Sequence, residues 1–150
     1  VSAVGKAYRN AIDDYLSTGQ IDKDANYNEI IKIGNRGYST GFYLHKPDSE
    51  GYSYDISKGL AGADCLCVFL EEKDGLYKVL TKNKFLLHDE IEIITPDECF
   101  KTAVTKIIDD KTGEEKNLSN TNDISLLELS KRPQNYKYAL ARTIGVKNLR

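Results

Sequence analysis

Three cysteines and two histidines are the residues of this chain whose types could support nucleophilic or metal chemistry. Cys65 and Cys67 are two positions apart, so on a strand both thiols would face the same side. A zinc or iron–sulfur site needs about four such ligands, and Cys99 is the one cysteine left to add. No G-x-S-x-G elbow supports pairing a nucleophile with His45 or His88. We therefore interpret the cysteines as small apolar core residues, and we expect no catalytic residue, metal or cofactor here.

A glycine-rich segment at residues 34–47 is the second feature with chemical potential. It reads G-N-R-G-Y-S-T-G-F-Y-L-H-K-P, in which glycines beside bulky rings and a guanidinium permit close backbone approach. Its first four residues match the G-x-x-G loop of KH domains, but a β- and turn-forming run follows where that loop requires a helix. The Lys-Ser/Thr ending of a phosphate-binding P-loop is also missing. We interpret the segment as an interdomain hinge or a substrate-edge loop, with these contact residues: Asn35, Arg36, Gly37, Tyr38, Thr40, Gly41 and Phe42.

Charge is divided unevenly along the chain, although the net charge is only −2. All 23 acidic residues lie in residues 1–128 beside 15 Lys and Arg (15 − 23 = −8), whereas residues 129–150 carry six cations and no acid. Tyrosines are interleaved with these cations, which is one electrostatic footprint of a nucleic-acid contact. The candidate contacts are Lys131, Arg132, Tyr136 and Lys137. We favour the alternative, in which the basic tail packs along the acidic body or a catalytic domain, because charge patterns do not identify a partner.

Two helices are predicted at the beginning of the chain. Apolar residues recur with a helical period from Val4 to Leu16, and Gly19 is placed to end that helix as a C-terminal cap. Asn26 and Glu29 form a capping-box pattern for a second helix that stops at Gly34. We expect the apolar side chains of the first helix to be largely buried, against the barrel or against the second helix: Tyr8, Ile12, Tyr15 and Leu16.

Short strands joined by turn residues are predicted after residue 59. An apolar run at residues 65–70 is short enough for a buried strand, and Asp74-Gly75 is a two-residue hairpin signal. Further short apolar or alternating runs continue to Leu129. Strands at this spacing indicate a small antiparallel β-barrel, which leaves no open sheet edge. We therefore divide the chain into a helical and glycine-rich part, residues 1–58, and a β-barrel domain with a basic tail, residues 59–150.

Three stretches resemble motifs of the U32 peptidase (collagenase-like) family in family order. Residues 7–16 resemble its A-Y-R-x-A-I-D-x-Y-L helix, and residues 35–42 resemble its N-R-G-[FY]-[ST]-T-G-F motif. Residues 83–93 resemble its N-K-F-x-x-G-D-E-I-E-I strands, with His88 in place of the turn glycine. Histidine tolerates the positive φ of such a turn better than a β-branched residue does, so we expect His88 to adopt it.

The resemblance implies a mainly β, α+β fold: two N-terminal helices before a small antiparallel barrel like translation-factor second domains. It also implies a partner, an upstream (β/α)₈ catalytic barrel of about 250 residues, which a chain of 150 residues cannot contain. We expect a non-catalytic accessory or substrate-binding domain of a U32 peptidase, which is a hydrolase acting on peptides or proteins. One alternative is the RNA-binding domain of a related enzyme that hydroxylates RNA bases, and another is a free-standing interaction module. Free thiols and the lack of an apolar span favour a cytoplasmic protein with no membrane partner.

Overall fold

The computed structural model describes residues 2–33, 43, 44, 46 and 62–144 of the chain. Residues 64–144 form one compact unit, and residues 3–63 belong to another. The elements in chain order are α1 (Ser2–Thr18), α2 (Lys23–Ile31), β1 (Cys65–Lys73), β2 (Leu76–Thr81), β3 (Phe85–Leu86), β4 (Glu90–Ile94), β5 (Cys99–Asp109), β6 (Leu118–Ser119), β7 (Ile124–Leu129) and β8 (Leu140–Thr143).

Both predicted helices form, but the second begins earlier than predicted. Gly19 has a φ of 72° and its N–H donates to the Tyr15 carbonyl at 2.8 Å, so it ends α1 as expected. The N-cap of α2 is Asp22, whose carboxylate accepts from the Ala25 N–H at 2.9 Å. Asn26, the predicted cap, lies inside the helix because Asp22 already satisfies a free N–H group one turn earlier. Within the described residues, no helix combines the length and apolarity that crossing a membrane requires.

The predicted burial of the apolar face of α1 is wrong. Tyr8 is 64% exposed, Ile12 51%, Tyr15 59% and Leu16 76%. Helical periodicity identifies side chains that share one face, but it does not say whether another surface covers that face. The helix prediction therefore holds, whereas the core assignment of these four residues does not.

Six strands close into an antiparallel barrel in the order β1-β2-β7-β5-β4-β8, and β3 pairs with β6 beside it. Two helices followed by a small antiparallel barrel is the architecture expected from the sequence, and that expectation is confirmed. We did not predict β8, because residues 140–143 were counted in the basic tail. Its four residues fill the gap between β1 and β4, where Ala141 pairs with both Cys67 and Ile93. The strand is short and Arg142 interrupts its apolar pattern, so alternation gave no signal for it.

The core lies inside the barrel and is built from the inward side chains of its strands. Asp74 and Gly75 have φ values of 54° and 80°, the left-handed pair of a type I′ hairpin turn, as predicted. A register shift between Cys65 and Cys67 interrupts the alternation of β1, so that Leu66 and Cys67 are both buried. The buried apolar cluster comprises Leu66, Cys67, Phe69, Tyr77, Val79, Phe85, Ile91, Ile93, Val104, Ile107, Leu127, Leu129, Ala139 and Ala141.

A chain of buried hydroxyl groups joins the small β3–β6 sheet to the barrel. Thr81 Oγ1 lies 2.7 Å from Ser119 Oγ, which lies 2.9 Å from Ser125 Oγ, and all three residues are fully buried. Each hydroxyl can donate one bond and accept others, so the chain satisfies its own polar atoms. Its role is structural, since it links β2, β6 and β7.

Candidate nucleic-acid interface

The cysteines do not form a reactive or metal-binding centre in the described structure. Burial raises the pKa of the Cys67 thiol, and the neighbouring Cys65 raises it further. Burial also raises the pKa of Cys65, while Cys99 is exposed. Among the described residues, no group of three or more Cys, His, Asp or Glu side chains is placed to hold a metal ion. Thiols with raised pKa values stay protonated and are poor nucleophiles.

His88 lies in a described turn between β3 and β4. His88 has a φ of 71° and its N–H donates to the Val104 carbonyl at 2.9 Å, so it takes the turn conformation expected of it. His45 lies outside the described residues, as do the seven predicted contact residues of the glycine-rich segment: Asn35, Arg36, Gly37, Tyr38, Thr40, Gly41 and Phe42. Their roles stay predictions.

The four predicted nucleic-acid contacts all lie in residues 130–139, the connection between β7 and β8, which we call the basic loop. Antiparallel pairing places this loop at the same end of the barrel as the β1–β2 turn and the β4–β5 turn. Thr102 Oγ1 accepts from the Lys131 N–H at 2.9 Å and donates to the Lys131 carbonyl at 3.0 Å. The Gln134 N–H donates to the Glu98 carboxylate at 2.6 Å. These bonds fix the loop to strand β5 and to the β4–β5 turn.

Three cations project from the basic loop, each beside a different group. Lys131 Nζ lies 4.5 Å from the centroid of the Phe100 ring, and Lys137 Nζ lies 5.4 Å from that of Tyr138. The Arg132 guanidinium lies at the β1–β2 turn, 3.9 Å from the Glu128 carboxylate, and its side chain is 53% exposed. An exposed ion pair of that length is weak, so Arg132 can exchange Glu128 for another anion.

The two tyrosines of the loop have opposite environments. The Tyr136 ring is half-buried and packs against the core, with its centroid 6.1 Å from that of Tyr77. Tyr77 in turn makes an edge-to-face contact with Phe69 at 5.4 Å, so Tyr136 is the outermost ring of a core stack. Tyr138, by contrast, is 74% exposed. We named Tyr136 as a contact and omitted Tyr138, because the Y-K-Y spacing carries no sign of which ring turns inward.

Arg142, which we counted among the cations of the tail, is a barrel residue. It pairs directly across β8 and β4 with Glu92, and its Nη2 lies 2.6 Å from the Glu92 carboxylate. The side chains are 5% and 13% exposed, so this cation is not available to a nucleic acid. Lys147 and Arg150 lie outside the described residues. Of the six cations in residues 129–150, Lys131, Arg132 and Lys137 are thus exposed at this end of the described barrel.

Two family descriptions match this sequence in succession. "Peptidase family U32" matches residues 1–53, and "Peptidase family U32 C-terminal domain" matches residues 64–142. A curated relative, the tRNA hydroxylation protein P of Haemophilus influenzae, is 27% identical over 109 residues, which are 71% of this chain and 24% of the relative. The chain thus spans about a quarter of the length of that relative.

Two solved structures of the C-terminal domain of a Geobacillus thermoleovorans protein described as a U32 peptidase also align with this chain. One is the selenomethionine variant, 27% identical, with 56% of this chain and 98% of that chain covered. The other is 26% identical, with coverage of 57% and 92%. Both alignments have a TM-score of 0.44.

Proposed function

Because this chain belongs to peptidase family U32, we propose that its barrel is a non-catalytic accessory domain that binds an RNA substrate for a U32 enzyme. The basic loop is the proposed contact surface. The observation that carries this proposal is the grouping of Lys131, Arg132 and Lys137 with an exposed aromatic ring at one end of the barrel. Cations that track phosphates and rings that stack on bases are the two components of single-stranded nucleic-acid binding.

The charge of the loop supports a polyanionic partner. Residues 130–139 contain three cations and no carboxylate, although the chain as a whole is acidic. The loop supplies cations that can contact phosphates, whereas the adjoining turns carry carboxylates such as Asp74 and Asp97, which restrict where a polyanion can lie. We preferred an intramolecular role for the cations of the tail on sequence grounds, and the pairing of Arg142 with Glu92 is such a contact. The three cations of the basic loop, in contrast, are exposed.

The relative from Haemophilus influenzae supports RNA as the class of substrate. Its name assigns it to tRNA hydroxylation, and 71% of this chain aligns with it. Burial raises the pKa values of the Cys65 and Cys67 thiols, which supports a binding role rather than a catalytic one for these residues. In this proposal the chemistry belongs to another region of the enzyme, and the barrel contributes affinity and orientation.

A peptide substrate is the second candidate, favoured by the description of the family as peptidases. The barrel would remain an accessory domain, but a peptide offers far fewer phosphate-like charges. Counterion release distinguishes the two, because RNA affinity falls with salt by a log–log slope of about −0.7 for each phosphate contact.

Filter binding of bulk tRNA to the 150-residue chain at two salt concentrations tests the proposal. We expect a slope of about −2 from three phosphate contacts, and a loss of roughly a hundredfold in affinity at 0.1 M salt in the triple variant Lys131→Gln, Arg132→Gln, Lys137→Gln. Point variants are needed because a truncation before residue 131 would also remove strand β8.

The matched control changes three exposed lysines toward the other end of the barrel: Lys82→Gln, Lys84→Gln and Lys111→Gln. It alters the net charge by the same amount, so a general electrostatic effect would weaken both triple variants equally. Equal weakening of both, or salt-insensitive binding, would overturn the basic loop as an RNA contact.

A further inference from the structure

We propose that Tyr138 is a stacking platform for an unpaired base, so that the basic loop prefers single-stranded or looped RNA to a duplex. This inference rests on the proposed function and names the form of RNA that the same surface accepts. Three observations carry it: the backbone conformation of Tyr138, the exposure of its ring and the position of the Lys137 ammonium group.

The backbone of Tyr138 is in an unfavourable conformation for its residue type. Four non-glycine residues in the described part of the chain have a positive φ, and three of them are Asp74, His88 and Asn122. Those types are several-fold enriched in the left-handed region, whereas a bulky ring at a φ of 63° is an outlier. Backbone strain of this kind persists where neighbouring structure enforces it and clusters at ligand-binding sites.

The neighbours of Tyr138 enforce the turn on both sides. Before it, the Lys137 N–H donates to the Asn135 side-chain oxygen at 2.9 Å. After it, Ala139 is fully buried, its N–H donates to the Tyr136 carbonyl at 2.8 Å, and its carbonyl accepts from the Phe69 N–H at 3.1 Å. The residue is therefore held between a half-buried ring and a core alanine. Because the backbone of Tyr138 is already fixed, only its side chain loses conformational entropy on binding.

The ring itself is presented to solvent rather than packed. Tyr138 is 74% exposed, and Lys137 Nζ lies over one face of the ring, 5.4 Å from its centroid. A base would stack on the other face, and the ammonium group would supply a cation for its phosphate. In a duplex both faces of every internal base are already stacked, so that contact is available to unpaired bases.

The test uses fluorescence anisotropy with the 150-residue chain, an unstructured 12-nucleotide RNA, and the same RNA annealed to its complement. We expect single-strand affinity to fall about 5- to 150-fold in Tyr138→Asn, which suits the left-handed backbone but cannot stack. Tyr138→Phe should bind within about twofold of the original chain, because it retains the stacking face. Tyr15→Ala, at another exposed tyrosine, should change nothing.

Three results would contradict the inference, and they separate it from the proposed function. Equal affinity of the original chain for single strand and duplex, or unchanged single-strand binding in Tyr138→Asn, overturns the stacking role. In those cases, a salt-sensitive loss in the triple cation variant would still uphold RNA binding by the loop. Failure of the original chain to bind either RNA overturns both proposals. A thermal unfolding curve for each variant shows that a lost signal is not lost folding.

Discussion

The guanidinium group of Arg132 occupies the space beside Gly75 where the Cβ atom of any other residue would lie. A Cβ built there would come within 2.6 Å of Nη1 and 2.8 Å of Nη2. Gly75 also has a φ of 80°, which a residue with a Cβ adopts at a cost. The hairpin turn and the basic loop are thus fitted to each other through one glycine and one arginine.

Gly75→Ala should lower the free energy of unfolding by about 1–2 kcal/mol, because of the left-handed backbone. The matched control is Gly113→Ala, which has the same conformational penalty at a φ of 73° but no atom within 4 Å of the new Cβ. Urea unfolding measures both. If Gly75→Ala loses more unfolding free energy than Gly113→Ala, the difference should disappear in an Arg132→Ala background. A difference that persists there would show that the guanidinium of Arg132 is not its cause.

Removing one partner of the ion pair between Arg142 and Glu92 should destabilise the barrel strongly, because it leaves a largely buried charge unpaired. Arg142→Met should cost about 3–5 kcal/mol of unfolding free energy, because the Glu92 side chain, which is only 13% exposed, loses its guanidinium partner. The double variant Arg142→Met, Glu92→Met should recover most of that loss, since two apolar side chains carry no buried charge. As a control, Lys106→Met at the exposed pair with Glu115 should change stability little.

Acid should weaken a second ion cluster, in which Lys116 Nζ lies 3.1 Å from the carboxylates of both Asp109 and Asp123. Backbone N–H groups of Lys111 and Thr112, and then Lys116, hold the pKa of Asp109 below 3.8. The N–H of Asn120, and then Lys116, do the same for Asp123. Lowered carboxylate pKa values stabilise the fold above about pH 4, and this contribution is lost as pH falls through the folded values.

The Tm of Lys116→Met should therefore lie below that of the original chain at pH 6, and the gap should narrow below pH 3.8. The Tm of Lys116→Met should still fall in acid, because backbone N–H groups continue to donate to both carboxylates. Burial lowers the pKa of Lys116, but the hydrogen bonds to Asp123 and Asp109 outweigh it and raise the pKa. A gap of constant size from pH 6 to pH 2.5 would mean that Lys116 acts through packing alone.

Tyr138 should be a site where stability and binding change in opposite directions. Tyr138→Asn should raise the free energy of unfolding by about 1 kcal/mol, because asparagine tolerates the left-handed backbone that strains a tyrosine. Tyr136→Asn is the comparison: it should destabilise by about 2 kcal/mol, since that ring packs against Tyr77. Chemical unfolding of both variants measures this, and a destabilised Tyr138→Asn would show that the ring packs on the fold.

Alkylation should rank the three thiols by exposure. Brief treatment with iodoacetamide at pH 8, followed by mass spectrometry, should label Cys99 first and Cys65 more slowly, while Cys67 reacts only after unfolding.

The same chain should not hydrolyse gelatin or fluorogenic peptides. Turnover that is lost on substituting any of the three cysteines would contradict the non-catalytic assignment.

Local signals predicted most of the described fold. Asp74-Gly75 identified a hairpin because a type I′ turn needs two left-handed residues, and His88 was recognised as a turn residue by the glycine it replaces. The barrel followed from the spacing of short strands. These features depend on a few adjacent residues, so they can be read without knowing what packs against them.

Features that depend on distant partners were not predictable in the same way. The sequence around Arg142 does not show that Glu92 lies directly across from it, so the residue was assigned to a basic tail. Tyr136 and Tyr138 differ because Tyr77 lies beside one of them. The hydroxyl chain through Thr81, Ser119 and Ser125 also joins three separate strands. In each case tertiary pairing, rather than local preference, determines the environment.

Closure of the barrel by β8 has a consequence for the order of events during synthesis. The strand pairs with β1, at the start of the barrel sequence, and with β4. Cys67 in β1 therefore has no partner on that side until Ala141 has been synthesised. Until then a nascent chain leaving the ribosome presents two unpaired strand edges, which are templates for association with other chains. Contacts between such distant segments also slow folding. The basic loop lies just before β8 in the sequence, so the proposed RNA-binding surface is completed together with barrel closure.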